Sequence, residues 1–325
     1  MSTSNVIPAE WARQKCLWTA WPSHPELWLG DLLARARREV ASMVNAIAEH
    51  QPFYVLVYGE DAMASARMLL SEKATIVPAK FGDIWLRDTG PIFTADGRAL
   101  RFQTNGWGEK FIYEYDDVVG DTLAEQAGAP IERFDFVLEG GAIEHNGQGV
   151  ILTTRECVLN KNRNGWRQEE AEAAFAKAFN CHKVLWLDKG LAGDHTDGHI
   201  DNLARFVGEN TVLCQKAFGE DDPNAERYEK TADALRAQGV TVLRIPSPGL
   251  VHDDNGQMMP ASHMNFIISN KVIVVPTYGT ASAEEAVAGI AHIFPEHEVI
   301  GSPSNAILTG GGSFHCITQQ EVSRG

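Results

Sequence analysis

The stretch DIWLRDTGPIFTADGRALRF (83–102) sets a polar residue, Asp88, ahead of an Ala-Asp-Gly turn and an apolar return strand. Four more stretches share this plan: LEGGAIEHNGQGVILTT (138–154), HTDGHIDNLARFVGENTVLC (195–214), ASHMNFIISNKVIVVP (261–276) and LTGGGSFHCIT (308–318), the last ending the chain without a return strand. The turns ADG, HNG, GEN and SNK suit hairpins. The polar markers, read as strand residues, are Asp88, Glu139, His199, Asn265 and Cys316, separated by 51, 60, 66 and 51 positions. A long, drifting period predicts supersecondary modules round an axis, each sending one polar side chain to a common centre. Because hairpins are common, the alternative is a chance selection of five.

Between these stretches the chain alternates. Residues 28–49, 60–70, 168–179 and 222–238 carry apolar positions at helical spacing, whereas 53–59, 242–246 and 272–276 are short buried-strand runs. That alternation predicts an α/β architecture. No linker divides the chain, so residues 1–325 are expected to form a single catalytic domain.

The 28 Lys+Arg and 43 Asp+Glu leave a net charge of −15, with 44% apolar and 22% charged residues. This is globular composition. The negative balance argues against nucleic acid and anionic membranes as partners and favours a small cation. The opening MSTSNVIPAEWARQ has no basic segment followed by an apolar run, and no stretch approaches the ~18 apolar residues that span a bilayer. Five scattered cysteines without a CxxC pair read as reduced, cytoplasmic thiols.

Cys316 follows three glycines, which let backbone approach a ligand closely. A cysteine between His and Ile is otherwise a small buried hydrophobe. Cys157 and Cys214 read as strand interior, and Cys16 and Cys181 lack polar companions. His315 is a poor base for Cys316, because neighbours in a strand face opposite ways. His199 and Asp201, two apart, would share one strand face and could supply proton transfer and cation binding. Asp194, His195 and Asp197 add a second possibility, a metal site, although no zinc-like spacing is present. Asp88 is either a turn residue or, with Trp85, part of an acidic aromatic cleft suited to a flat cation. Glu139 beside Gly140 and Gly141 is either a strand bulge or a carboxylate that orients a histidine.

Taken together, WTAWPSHPELW, DIWLRDTGP, NGWGEK, EGG, LTTRECVLNKNRN, GHIDNLARF, MNFII and GGGSFHCITQQ resemble the agmatine deiminase family across essentially the whole chain. That family lies in the guanidine-modifying, or pentein, superfamily. The resemblance implies a five-bladed pseudo-symmetric α/β-propeller of ββαβ-like modules. It also implies that Cys316 is the nucleophile, His199 the general acid/base, Asp88 and Asp201 the guanidinium-binding carboxylates, and Glu139 the orienter of His199. Trp85, Trp107 and His195 would complete the substrate site. Self-association is common in the family. Two positions depart from its pattern: His195 stands where an acid is usual, and His263 where tyrosine is usual.

The implied reaction is hydrolytic deimination of a small guanidino compound through a cysteine thiouronium, with agmatine ahead of arginine or another guanidino acid. It needs no cofactor and no metal. A protonated His195, aided by His263, would favour a guanidino acid, whereas Asp194 or Asp197 could hold the amine of agmatine. The alternatives from other classes are a metal-dependent hydrolase built on His195, His199 and Asp201, and a silent cation-binding protein.

Overall fold

A computed structural model of the chain describes residues 7–323. The first six residues of the N-terminal stretch read for a signal sequence lie outside the described residues. The strands form five sheets. Four begin with an antiparallel hairpin: Ile92–Phe93 with Ala99–Gln103, Ile143–His145 with Val150–Thr154, Ala204–Gly208 with Thr211–Lys216, and Ile267–Ile268 with Val272–Thr277. Each hairpin is followed by a helix, Val119–Ala127, Gln168–Phe179, Ala225–Ala237 or Ala283–Ile293, and then a strand parallel to the hairpin's second strand. Parallel pairing requires such a crossover. Each unit is therefore a ββαβ blade.

The missing return strand of the last segment comes from the other end of the chain. Thr318–Val322 pairs antiparallel with Gln14–Ala20, in a register that sets Trp18 opposite Gln319. Gln14–Ala20 then runs parallel to Phe53–Val57 across the helix Leu32–Ala48. An added edge strand, Ala74–Pro78, completes this blade. Pairing first strand with last closes the ring. The connecting helix buries Ala36, Val40, Met43, Val44 and Ile47. It starts at Leu32 and not at residue 28, because Gly30 turns left-handed at φ +61° just ahead of it.

The polar markers are not strand residues, as expected above, but lie in turns that lead into the hairpins. Asp88 is in the one-turn helix Leu86–Thr89, Glu139 precedes the 3-10 turn Gly140–Ala142, and His199 precedes Ile200–Asn202. A strand would alternate its side chains across two faces. A turn at the entry of each blade frees one side chain to point at the shared axis. Cys157 is likewise in a one-turn helix, Arg155–Val158, and Cys16 has a polar companion, donating to Glu321 at 3.1 Å. No helix among the described residues is long and apolar enough to cross a membrane.

Candidate active site

Gly141 marks the convergence of the blades. A Cβ there would fall 2.6 Å from His199 Nδ1, 2.9 Å from Asp88 Oδ1 and 3.1 Å from Asp201 Oδ2. Only bare backbone fits, and its N–H donates to Asp88 Oδ1 at 2.9 Å. The other oxygen of Asp88 accepts the indole N–H of Trp107 at 2.8 Å. Trp107 is held in the left-handed region at φ +53°, rare for a bulky residue, by a turn in which Asn105 accepts from Gly108.

Cys316, 4% exposed, lies across from these carboxylates. Its thiol donates to Asp201 Oδ2 at 3.3 Å and accepts from Asn265 Nδ2 at 3.0 Å. Asp88 and Cys316 open on a cavity of about 210 Å³ walled by Trp28, Trp85, Trp107, Phe111 and Tyr113, with His195 on one side. The triple glycine shapes that wall. A Cβ on Gly310 or Gly312 would come within 2.5 or 2.7 Å of the Trp85 ring, and one on Gly311, at φ +101°, within 2.6 Å of His195. His199 and Asp201 are fully buried and lie directly against these lining groups, His199 Nδ1 at 3.8 Å from Asp88 and Asp201 Oδ2 at 3.3 Å from Cys316 Sγ.

Burial pushes the Cys316 thiol well above its ordinary range, and the charges of Asp201 and Asp88 push it further. Burial also raises Asp88, with His199 opposing and Asp201 adding. Burial opposes charge on His199 as well, yet Asp88, 3.8 Å away, Cys157 and Glu139 hold it well above a free imidazole. Asp201 goes the other way. Burial would raise it, but the hydrogen bond and charge of His315, then His199 and Arg205, bring it below the usual carboxylate value. The centre thus pairs a protonated thiol with an imidazolium-favouring histidine and one firmly ionised carboxylate.

The far end of the site departs from expectation. His263 is buried outside the cavity, with Nδ1 2.8 Å from the Pro276 carbonyl, and burial holds it down to about 4. It is neutral and does not assist His195. Asp194 is tied to the Thr196 N–H and hydroxyl, and Asp197 to Lys110 at 2.8 Å and Arg163 at 2.7 Å, so neither is available to an amine. Glu139 sits among Cys157 and His199, with ligand atoms within 4.8 Å, but its hydrogen-bond partner is Arg163 at 2.8 Å. That trio and Glu10–Glu144–His315 have metal-like spacing among the described residues. In both, a protein cation already occupies the carboxylates: Arg163 on Glu139, and Arg205 between Glu10 and Glu144. His195 belongs to neither group.

Two residues given no role by the sequence reading are prominent. Asn265 grips Cys316 twice, its Oδ1 also accepting the Cys316 N–H at 3.1 Å. The repeat had marked its position, but an amide does not titrate and so carries no chemical signature. Asp83 accepts the indole N–H groups of Trp28 at 3.0 Å and Trp85 at 2.8 Å, and thereby sets two walls of the cavity. Its place two residues before a tryptophan was the available signal.

Comparison with known proteins agrees with this architecture. Agmatine deiminase from Stutzerimonas stutzeri (strain A1501) is 34% identical over 349 residues, covering 97% of this chain and 95% of that protein. A solved structure of Enterococcus faecalis agmatine deiminase superposes with a TM-score of 0.92 at 28% identity, covering 99% of this chain and 96% of that one. A substrate-bound variant of C. jejuni agmatine deiminase gives 0.91 at 28% identity, covering 98% and 96%. The family model described as Porphyromonas-type peptidyl-arginine deiminase matches residues 6–321, and the chain belongs to that family.

Proposed function

We propose that the protein is an agmatine deiminase, hydrolysing agmatine to N-carbamoylputrescine and ammonia through a covalent intermediate on Cys316. The observation that carries this reading is the composition of the cavity. A thiol and a carboxylate meet at its inner end, indoles wall it, and no Lys or Arg lines it. The ammonium of agmatine finds aromatic faces there. The carboxylate of arginine would find no guanidinium or ammonium partner.

In the proposed mechanism Asp88 and Asp201 grip the planar guanidinium, which places its carbon near the thiol. The bound cation offsets the two carboxylates, so the thiol releases its proton to solvent as substrate arrives. The thiolate forms a C–S bond and gives a tetrahedral intermediate. His199 gives its proton to the departing nitrogen, the C–N bond breaks and ammonia leaves. Water then adds to the thiouronium as neutral His199 takes its proton. The C–S bond breaks, leaving the ureido product and a free thiol. We read the ring, closed by its own ends, as one catalytic unit acting in the cytoplasm, where its thiols stay reduced.

One observation favours a second substrate class: His195 on the cavity wall would meet a carboxylate if protonated. The test is ammonia release from agmatine, arginine and shorter guanidino acids. Agmatine is expected to win by ~100-fold in kcat/KM, the effect of about 3 kcal/mol for an unpaired buried carboxylate. Intact mass of a quenched reaction should show an amidino adduct on the Cys316 peptide, and Cys316→Ala should abolish both adduct and turnover. Faster arginine turnover would overturn the substrate assignment.

A further inference from the structure

His315 follows Phe314 and precedes Cys316, and its ring bridges two carboxylates. Nδ1 lies 2.8 Å from Asp201 Oδ2, and Nε2 lies 2.9 Å from Glu10 Oε2. Ring and carboxylates are all buried. Both oxygens can only accept when ionised. A ring nitrogen without a proton would set its lone pair against an anionic oxygen. A proton on each nitrogen would satisfy both contacts at once. Glu10 is braced in turn by Arg205, which also pairs with Glu144 and donates to the Met264 and Phe266 carbonyls. Arg87 donates to the His315 carbonyl and to Gln319 on the same side.

The groups facing Asp201 come from several blades: His315, Asn265 and Cys316 at Oδ2, with His199, Asp88 and Arg205 around them. Asp201 Oδ1 has no hydrogen-bond partner within the protein. The carboxylate is thus divided in two. One oxygen is committed to the protein, and the other is free for a substrate N–H.

We propose that His315 is a positioning residue, a standing imidazolium braced by Glu10 that keeps Asp201 ionised and turned with Oδ1 toward the guanidinium. This rests on Asp201 acting as a substrate clamp. A second consequence follows from the shared oxygen. Oδ2 already receives the His315 N–H, so it is a weak base toward the Cys316 thiol. The thiol keeps its proton until substrate arrives, instead of passing it to Asp201.

The test has two arms on the full chain. In the first, histidine is 15N-labelled and the substrate-free protein is observed by NMR at neutral pH, with the His315 signals assigned by their loss in His315→Gln. Both ring nitrogens should carry protons. In Glu10→Gln, one carboxylate is gone and part of the His315 population should turn neutral. The second arm is the pH profile of kcat/KM. Removing the cation from beside Asp201 raises the pH at which that carboxylate loses its charge. The acid limb should therefore move up in His315→Gln and, less, in Glu10→Gln. Below the limb, KM should rise on the order of tenfold per unit moved, while plateau kcat changes less. A neutral His315 in the wild type overturns the proposal, as does an acid limb unmoved in both variants. The NMR arm uses no substrate, so its failure leaves the agmatine reading standing. Absence of turnover on any guanidino compound would instead defeat that reading.

Discussion

Replacing Asn265 with alanine should slow formation of the covalent intermediate by one to two orders of magnitude without unfolding the protein. Asn265 is fully buried, and its Nδ2 reaches Cys316 Sγ at 3.0 Å, Asn202 Oδ1 at 2.9 Å and Asp201 Oδ2 at 3.3 Å. While Cys316 is a thiol, the contact to sulfur is weak. Once the sulfur is an anion, Nδ2 is its direct donor in a site where Asp201 and Asp88 oppose that charge. A hydrogen bond to a charged group contributes about 1.5–3 kcal/mol. At about 1.4 kcal/mol per factor of ten, its loss slows attack by ~10–150-fold. Stability falls as well, because the Cys316 N–H and Asn202 Oδ1 lose a partner at roughly 1–3 kcal/mol each. The assay is rapid-quench accumulation of the Cys316 adduct, with the pH dependence of Cys316 alkylation alongside. In the variant the alkylation limb should move to still higher pH. Asn265→Asp keeps the shape but sets a third carboxylate beside the sulfur, so it should be slower than alanine. A folded Asn265→Ala protein with unchanged adduct formation and an unchanged alkylation limb would refute the assignment.

Neutral iodoacetamide should alkylate Cys316 slowly at neutral pH and a cationic haloacetamidine faster, because only the cation offsets Asp88 and Asp201; a thiol titrating with iodoacetamide near or below pH 7 would contradict this. Gly312→Ala should cut kcat/KM at least ~10-fold with the fold retained, since its Cβ would meet the Trp85 ring at 2.7 Å and Cys316 Sγ at 3.0 Å, and overpacking costs roughly 1–3 kcal/mol. His195→Asp should raise kcat/KM for agmatine several-fold by giving the amine a charged partner on the cavity wall; no change would show that His195 does not read the far end of the substrate. His263, held down to about 4, stays neutral when folded but takes a proton below about pH 6.5 when unfolded. Its contribution is therefore lost as pH falls through that window, roughly 3 kcal/mol by pH 4, and urea unfolding of wild type against His263→Gln should show a shallower acid slope in the variant.

The sequence stated the plan of the ring more clearly than its local geometry. Five related segments at long spacing, the last without a return strand, suggested modules round an axis, and the family resemblance turned that suggestion into five blades. The closing partner, Gln14–Ala20, was not legible, because strand pairing across the whole chain leaves no local trace. His199 and Asp201 were put on one strand face, yet they reach the centre from a 3-10 turn. Two-residue spacing does not distinguish the two when the flanking glycine, here Gly198 at φ +87°, lets the chain turn. His263 drew attention as a departure from a family pattern, but only burial could show that it lies outside the cavity. Asn265 and Asp83 act by hydrogen bonds that hold other groups, and residue type alone says little about whom an amide or a carboxylate holds. His315 was correctly denied the role of base for Cys316. Adjacency in sequence gave no hint that its ring spans Asp201 and Glu10.

The centre is the least local part of the molecule, and that follows from what it must do. Gripping a delocalised cation takes carboxylates on separate sides, and a single segment cannot surround a planar ligand. The contacts observed bridge 115 residues from Cys316 to Asp201 and 305 from His315 to Glu10. Each of those carboxylates is buried, which is costly unless donors meet it. Gly141, Trp107, Asn265, His315 and Arg205 are those donors, and each comes from a different place on the chain. The strand Thr318–Val322 then has two jobs. It completes the first blade by pairing with Gln14–Ala20, and it fixes Cys316 and His315 two and three residues before its start. The same closure brings Glu10, four residues ahead of Gln14–Ala20, against His315. Ring closure and the reacting centre thus draw on the same two segments, the one that carries Glu10 and the one that carries His315 and Cys316.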